Sequence, residues 1–317
     1  MDFSKCSIIQ PSGEQLRNMY RTLWQIFPYD RLVYEEILRT GQPLYTLISY
    51  AMYQRDEFLG HAGIMPMRIW MDNIQRDIIG IGAVATVPKF RRMGVAQFLM
   101  ERCIEAIDSR QIQAALFTEL PAVYEAHGFN IFNQNYVASK IVNGISSQAG
   151  YEYKIHDVLS VTDTTEMDEV YTNRYPNYDG KIVRDEAYWA LYRMFFNPYP
   201  KPKIISLHNG GHLQGYVRFD HDDDRLTMTE LCVGKDEIVI AESLLAAVFA
   251  YARKWGLKLC TFAMPQEHFA WELLVRKGID CVPEPQGIRR EIFMVRPGVG
   301  KEVEFHRDFQ WSLADKF

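Results

Sequence analysis

Residues 78–129 read IIGIGAVATVPKFRRMGVAQFLMERCIEAIDSRQIQAALFTELPAVYEAHGF, and this stretch decides the fold of the chain. Residues 78–87 are mostly small or β-branched apolar residues, which is typical of a buried strand. Pro88 ends that strand, and the basic turn Arg91-Arg92-Met93-Gly94 leads into a helix. Apolar residues recur in this helix every three or four positions, at Val95, Phe98, Leu99, Cys103, Ile104 and Ile107. A second apolar strand follows at residues 113–118.

The turn between the first strand and the helix is suited to an anion. The first N–H groups of a helix have no partner within it, and the helix dipole makes that end positive. A diphosphate therefore fits this position. Gly94 and Ala96 are small enough for a close approach to the backbone, and Arg91 and Arg92 add positive charge.

The spacing Arg91-x-x-Gly94-x-Ala96 behind a strand resembles the acetyl-CoA signature of the GNAT superfamily of N-acetyltransferases. A second motif, Tyr124-x-x-x-Gly128-Phe129, stands where that superfamily has its conserved tyrosine. The resemblance implies that acetyl-CoA is a cosubstrate, and because the sequence has no zinc-ligand or calcium-loop spacing we expect no metal. The resemblance assigns coenzyme binding to the end of the first strand and to the turn, at Val84, Ala85, Thr86, Val87, Arg91, Arg92, Met93, Gly94, Val95, Ala96 and Gln97.

The composition excludes several classes of protein. The 317 residues are 48% apolar and 13% aromatic, which is enough for real cores and exceeds one average domain. A net charge of −5 without a long basic run argues against nucleic acid as a partner. The five cysteines form no C-x-x-C pair, and no signal pattern or apolar run of about 20 residues occurs, so we expect a cytoplasmic protein with reduced thiols and no membrane contact.

The element order of the whole chain predicts two similar α/β folds, each a mixed sheet flanked by helices. In the first half we predict a strand, two helices and three antiparallel strands ahead of the turn, at residues 7–10, 13–26, 31–39, 44–54, 58–72 and 75–87. Residues 131–142 are predicted to be the next strand of that sheet. Residues 144–150, which read GISSQAG, are the predicted linker. The predicted domains are therefore residues 1–143 and 151–317.

The second half repeats the predicted order without the signature. Its predicted helices are residues 165–174, 185–196, 238–255 and 269–277, and its predicted strands are residues 202–207, 213–220, 225–233, 258–263 and 290–296. Gly234-Lys235-Asp236-Glu237 stands where the turn would be, and its acidic residues would repel a diphosphate. We therefore expect a degenerate GNAT-like domain. The arrangement resembles the first two domains of the enhanced-intracellular-survival (Eis-like) acetyltransferases, and the sequence is too short for their third domain.

Acetyl transfer requires a proton donor for the leaving thiolate and a group that keeps the amine neutral. Tyr124 is the candidate donor, because a well-placed phenol, with a pKa near 10, can protonate a thiolate; packing on the core is the alternative role. Many GNAT enzymes carry a glutamate on the strand before the turn, but residues 78–87 contain no acid. Glu119 and His127 are the nearby candidates for the base, and His61 lies farther away.

The chain terminus is a further candidate for the base. In the Eis-like enzymes the C-terminal carboxylate enters the active site and acts as the base. The resemblance assigns that role here to Phe317, whose α-carboxylate is ionised at neutral pH. An ordinary packed or frayed tail is the alternative.

These features favour an acetyl-CoA-dependent N-acetyltransferase that acts by direct transfer in a ternary complex. The expected acceptor is the amine of a small molecule, such as an amino sugar, an aminoglycoside-like compound or a biosynthetic intermediate. Glu35, Glu36 and Glu119 would suit a cationic amine. A longer acyl group, a hydroxyl acceptor and a non-catalytic acyl-CoA sensor are the alternatives, and the sequence is compatible with a homo-oligomer.

Overall fold

The computed structural model describes residues 1–28, 31–40, 47–132, 137–141, 145, 150–197, 202–222, 224–234, 237–263, 270–283 and 292–298. Its first half contains β1 (Cys6–Ile9), α1 (Gly13–Ile26), α2 (Arg31–Thr40), β2 (Ile48–Gln54), β3 (Glu57–Met71), β4 (Ile74–Thr86), α3 (Val95–Arg110), β5 (Gln113–Thr118), α4 (Pro121–Glu125) and β6 (Asn130–Ile131). Its second half contains β7 (Val137–Lys140), β8 (Glu152–His156), α5 (Val161–Asn173), α6 (Glu186–Phe196), β9 (Lys203–Asn209), β10 (His212–His221), β11 (Arg225–Cys232), α7 (Ile238–Lys254), β12 (Leu259–Phe262), α8 (Ala270–Arg276), β13 (Cys281–Pro283) and β14 (Ile292–Arg296).

The described strands form two seven-stranded sheets. The first has the order β1-β2-β3-β4-β5-β14-β6, and the second has the order β13-β7-β12-β11-β10-β9-β8. Neighbouring strands are antiparallel except for the parallel pairs β4–β5 and β11–β12. The predicted fold class, two mixed sheets flanked by helices, is therefore confirmed.

The two sheets exchange strands, which the sequence analysis predicted wrongly. Strand β7, expected within residues 131–142 of the first sheet, pairs with β12 and β13 in the second. Strand β14, expected in the second sheet, pairs with β5 and β6 in the first. The reason is that apolar alternation reports burial, and both sheets bury such a strand equally well. The predicted division at residues 144–150 stays a prediction.

Helices cover both faces of the first sheet. Helix α3 buries Val95, Leu99, Met100, Cys103 and Ile107 against one face. Helices α1 and α2 cover the other face with Met19, Tyr20, Leu23, Val33, Tyr34 and Ile37. The apolar spacing of three and four residues that predicted these helices is the spacing of their buried faces. In the second sheet α7 packs on one face and α5 and α6 pack on the other.

The two halves share a core. The outer end of β3 bonds to a segment of the second half through Trp70 N–H and the Lys181 carbonyl, 2.8 Å, and through Val183 N–H and the Arg68 carbonyl, 2.8 Å. Ile182 and Leu191 of the second half lie in the cluster that α1 and α2 form on the first sheet. The halves are therefore joined by backbone pairing and apolar contact as well as by exchanged strands.

Two further features concern the helices and the cysteines. Among the described helices none is long and apolar enough to cross a membrane. All five cysteines lie in the described ranges and are free thiols.

Candidate active site

Two neighbouring strands of the first sheet, β4 and β5, separate toward the turn that precedes α3. Strands β4 and β5 pair only where residues 78–80 face residues 113–115. Beyond this point β4 continues to Thr86, while the end of β5 pairs with β14 on its other side. A gap therefore opens between two parallel strands, and the backbone of residues 81–86 borders it.

A β-bulge lies in β4 beside this gap. His61 faces Ala85 and Gly63 faces Gly82, so Ala83 and Val84 together stand opposite a single residue of β3. Ala83 has a φ of 51°, in the left-handed region that is unfavourable for a residue with a Cβ. An extra residue in a bulge is left out of the ladder, so this segment has backbone groups that the sheet does not use.

His61 fastens the bulge from β3. Its Nδ1 lies 2.8 Å from the Ala83 carbonyl oxygen, and its Nε2 lies 3.0 Å from the Ser49 hydroxyl of β2. The side chain is 0% exposed. Burial lowers the pKa of His61 to about 4, so the ring is neutral near pH 7. Because a carbonyl oxygen only accepts, Nδ1 carries the hydrogen and Nε2 accepts from Ser49.

The turn that follows β4 ends in an open helix terminus. Arg92 and Gly94 have φ values of 63° and 84°, so the chain doubles back before α3 begins at Val95. The N-cap, Gly94, has no side chain that could accept from the first N–H groups of α3. Arg91 and Arg92 are exposed beside it. The turn therefore presents N–H groups and positive charge to solvent.

Gly60 on β3 allows the start of α3 to lie close to the sheet. A Cβ at this position would stand 2.6 Å from the Ala85 carbonyl oxygen and 2.8 Å from Cγ1 of Val95. Such distances leave no room for a side chain, so the glycine fixes how near the helix terminus comes to the end of β4.

Thr86 has an unused hydroxyl at the end of β4. Of the side-chain nitrogen and oxygen atoms in the described residues, its Oγ1 is the buried atom that has no hydrogen-bond partner. A buried hydroxyl without a partner is unfavourable by about 1–3 kcal/mol. Its place at the end of β4 makes this hydroxyl a candidate contact for a bound molecule.

Tyr124 lies in α4, at the far side of the gap from β4. Its ring meets Phe129 edge to face at 6.2 Å and packs on the core below α3. Burial raises the pKa of Tyr124, and a hydrogen bond from the hydroxyl of Thr118, at the end of β5, lowers it in part. The phenol is therefore protonated at neutral pH and hydrogen-bonded to the strand that borders the gap.

The loop after Tyr124 is held by the exchanged strand. Arg296 of β14 donates from Nε to the His127 carbonyl at 2.9 Å. Its guanidinium also forms a two-pronged ion pair with Asp108 of α3, at 2.6 and 3.1 Å. This arginine thus ties the α4–β6 loop to α3, the helix that begins at the basic turn.

The candidate bases differ in exposure and in their charged partners. Glu119 follows β5 directly and is exposed. His127 is half-buried, and burial lowers its pKa. Glu35 and Glu36 are paired with Arg31 and Arg39 on α2, at 2.6 Å each, so their charges are already partly neutralised. Phe317 lies outside the described residues. All of these site assignments stay predictions.

The turn before α7 in the second half differs from the turn before α3. In the second sheet the described β12 pairs with β11 along its whole length, where residues 259–262 face residues 225–228. At the start of α7 the carboxylate of Glu237 accepts from the Gly234 N–H at 2.8 Å and is paired with Arg174. An internal carboxylate therefore lies in the turn before α7, although it does not cap the N–H groups of that helix.

Sequence reasoning named His61 only as a more remote candidate base, and the structure adds its contact with the Ala83 carbonyl at the bulge. Thr118 and Arg296 were not singled out at all, although Thr118 ends the predicted strand before Tyr124. Among the described residues no three His, Cys, Asp or Glu side chains are placed to hold a metal ion.

Residues 12–132 match the family model for the acetyltransferase (GNAT) domain. The match contains the gap, the bulge, the turn and Tyr124. No curated protein sequence is significantly similar to this chain.

Solved structures share the fold over most of the chain. A probable N-acyltransferase from Enterococcus faecalis V583 aligns over 92% of this chain and 73% of its own, with 15% identity and a TM-score of 0.67. Eis1 from Mycobacterium abscessus aligns over 92% and 73%, with 14% identity and a TM-score of 0.60. A tandem GNAT protein from the clavulanic acid biosynthesis pathway aligns over 94% and 99%, with 12% identity and a TM-score of 0.51. The predicted tandem architecture is therefore confirmed.

Proposed function

We propose that the protein transfers an acetyl group from acetyl-CoA to the amine of a small molecule, because residues 12–132 match the acetyltransferase (GNAT) domain model. One observation carries the proposal. The gap between β4 and β5 and the open terminus of α3 are continuous through residues 81–97. A thioester arm and its diphosphate need these two surfaces side by side.

The described residues fit the coenzyme. Residues 81–87 offer backbone groups for an extended arm, and Thr86 offers a buried hydroxyl that has no protein partner. The N–H groups from Gly94 to Gln97, with Arg91 and Arg92, suit the diphosphate. Acetyl-CoA supplies the acyl group as a thioester, which an amine can attack directly when both substrates are bound.

Each residue of the site then has one task. A backbone N–H in residues 84–87, beside the bulge, polarises the thioester carbonyl, because it is fixed in place before the reaction. Tyr124 holds the proton that the leaving thiolate needs, and its raised pKa keeps that proton in place at neutral pH. The gap brings amine and thioester together, which lowers the entropic part of the barrier.

Two residues are candidates for the base that keeps the amine neutral. Glu119 stands at the end of β5, on the rim of the gap, and is free to reach a bound amine. Phe317 is the second candidate, through its α-carboxylate. We propose a cationic small molecule as acceptor, in the class of amino sugars, aminoglycoside-like compounds or biosynthetic intermediates, because Glu119 would attract it.

Thiol release tests the proposal. The purified protein is mixed with acetyl-CoA and a panel of amino sugars, aminoglycosides, polyamines and amino acids, and free CoA is followed with a thiol reagent. The Ala96→Glu variant places a carboxylate in the first turn of α3, which favours the helix but repels a diphosphate. Ser109→Glu is the matched control, because it adds the same charge at the exposed far end of α3.

Three outcomes are distinct. Amine-dependent release that Ala96→Glu abolishes and Ser109→Glu retains supports acetyl transfer and identifies the acceptor class. In the second outcome no thiol is released, but acetyl-CoA raises the melting temperature of the parent and of Ser109→Glu and not that of Ala96→Glu. The protein then binds acyl-CoA as a sensor, or it uses another acyl group or a hydroxyl acceptor. If acetyl-CoA neither reacts nor stabilises, the proposed function is wrong.

A further inference from the structure

The bulge in β4 contains a strained backbone conformation that needs a stabilising contact. A left-handed φ at Ala83 is unfavourable by about 1–2 kcal/mol, and such strain persists only where the surroundings determine the conformation. The Ala83 carbonyl accepts from His61 Nδ1 at 2.8 Å, from a side chain that is wholly buried. His61 is therefore the side chain that fixes the strained peptide.

This hydrogen bond also sets the direction of an N–H group. The peptide between Ala83 and Val84 is trans, because the described residues contain no cis peptide bond. In a trans peptide the C=O and the N–H point in opposite directions. When His61 holds the Ala83 carbonyl, the N–H of Val84 is turned away from His61.

His61 lies on the sheet face opposite α3. Its neighbour Ala62 packs in the cluster that α3 forms, and successive residues of a strand point to opposite faces. Its second partner, Ser49, faces Gly63 in the adjoining strand, so the ring is fixed by two neighbouring strands. The Val84 N–H is thereby directed away from the α1–α2 side and toward the face on which the turn and α3 lie.

We propose that His61 is a positioning residue for acyl transfer, which holds the Ala83–Val84 peptide so that the Val84 N–H meets the thioester carbonyl. The inference rests on the proposed function, because it concerns the same strand and the same reaction. His61 itself touches no reacting atom. It acts through a backbone group that would otherwise be free to turn.

Two matched substitutions separate the contacts of the ring. In asparagine the amide nitrogen is two bonds from Cβ, as Nδ1 is in histidine, so His61→Asn keeps a donor for the Ala83 carbonyl. In glutamine it is three bonds away, as Nε2 is, so His61→Gln keeps only a partner for Ser49. His61→Leu removes both contacts, and Ser49→Ala removes the Nε2 partner alone.

The measurements are kcat and KM for thiol release with an amine acceptor, acetyl-CoA affinity by calorimetry, and Tm. We expect kcat to fall about ten- to a hundredfold in His61→Gln and His61→Leu and to stay within about threefold in His61→Asn and Ser49→Ala. Acetyl-CoA affinity should change by less than about threefold throughout, because the Val84 contact strengthens only as charge develops on the carbonyl.

Amide hydrogen exchange of residues 81–87 adds a readout that does not depend on turnover. We expect faster exchange in His61→Gln and His61→Leu than in His61→Asn. The inference is overturned if kcat falls in proportion to Tm across the four variants, whether or not a variant keeps the donor to the Ala83 carbonyl. It is also overturned if asparagine and glutamine behave alike. If the parent transfers no acyl group, the proposed function fails first, and the variants are not needed to show it.

Discussion

At the scale of the residue, the surroundings of Tyr124 decide what its hydroxyl can do. The ring packs on Phe129, and the oxygen is bonded to Thr118 at the edge of the gap. A tyrosine used only for packing would not need that oxygen. The two roles of ring and hydroxyl can therefore be separated by removing one atom.

Tyr124→Phe should keep the packing and lose the proton donor. We expect kcat for thiol release to fall about a hundredfold, while acetyl-CoA affinity and Tm stay close to those of the parent. Tyr50→Phe is the matched control, because Tyr50 is also a half-buried tyrosine of the first half whose pKa burial raises. Equal kcat values for the parent and Tyr124→Phe would remove Tyr124 from the reaction.

His61 makes stability depend on pH in a calculable direction. Its pKa is about 4 in the folded protein and near 6.5 when unfolded, so the unfolded state binds more protons between these values. The stabilisation is complete above about pH 6.5 and is lost as the pH falls toward 4. Between pH 7 and pH 5 we expect His61 to account for a loss of about 2 kcal/mol.

Urea unfolding of the parent and of His61→Asn at pH 7 and pH 5 measures this effect. Asparagine does not titrate, so the variant should lose less stability than the parent over the same interval. An identical loss in both proteins would mean that His61 is not the group that binds the proton.

The role of a residue could be predicted from the sequence only where the residue belongs to a motif with fixed spacing. Tyr124 and Gly94 stand in motifs with fixed spacing, whereas His61 acquires its role from a register shift between β3 and β4. No local sequence pattern predicts a shift in strand register. The orphan hydroxyl of Thr86 is likewise visible only after its neighbours are placed.

At the scale of the element, the sequence predicted helices better than strand partners. Helix α1 has the predicted bounds, Gly13–Ile26, because Ser12 and Pro28 delimit an amphipathic run. The strand at Gln113–Thr118 was also predicted with its bounds. Which strand lies beside it could not be predicted, because β14 is distant in sequence and pairing depends on contacts across the fold.

Arg296 links β14 to α3 and to the α4–β6 loop, so replacing it should lower the free energy of unfolding. Arg296→Met leaves Asp108 half-buried without its partner and frees the His127 carbonyl. We expect the free energy of unfolding to fall by about 2 kcal/mol, measured by urea denaturation. Arg296→Lys should recover part of that loss, since it keeps the charge but not the fork.

A double-mutant cycle with Asp108→Asn separates the ion pair from the backbone contact. The two substitutions together should be less destabilising than the sum of each alone. Strict additivity would show that the pair seen between Arg296 and Asp108 contributes nothing in solution.

At the scale of the whole molecule, the second half differs from the first at the turn before its long helix and also completes the first sheet. The turn before α7 holds the Glu237 carboxylate, bonded to the Gly234 N–H, where the turn before α3 has exposed arginines. The second half nevertheless supplies β14, whose Phe293, Met294 and Val295 are buried in the first half's core. The sequence predicted the missing signature of the second half but not this structural contribution.

A fragment of residues 1–150 should therefore fail to fold alone. It lacks β14, so it would expose the edge of β5 and the apolar surface that β14 covers. We expect aggregation or an unfolded circular dichroism spectrum, and recovery when residues 151–317 are produced in the same cells. A soluble, cooperatively melting fragment would show that β14 is dispensable.

The exchanged strand also has a consequence for biosynthesis. Residues 1–132 leave the ribosome well before residues 292–296, and at usual rates of synthesis the interval is about ten to thirty seconds. Throughout this time the nascent sheet has an unpaired edge, the kind of surface that chaperones cover. The sheet that carries the candidate active site is thus completed only after residues 292–296 have been made, so a ribosome that stalls between the two halves would release a chain in which that sheet is unfinished.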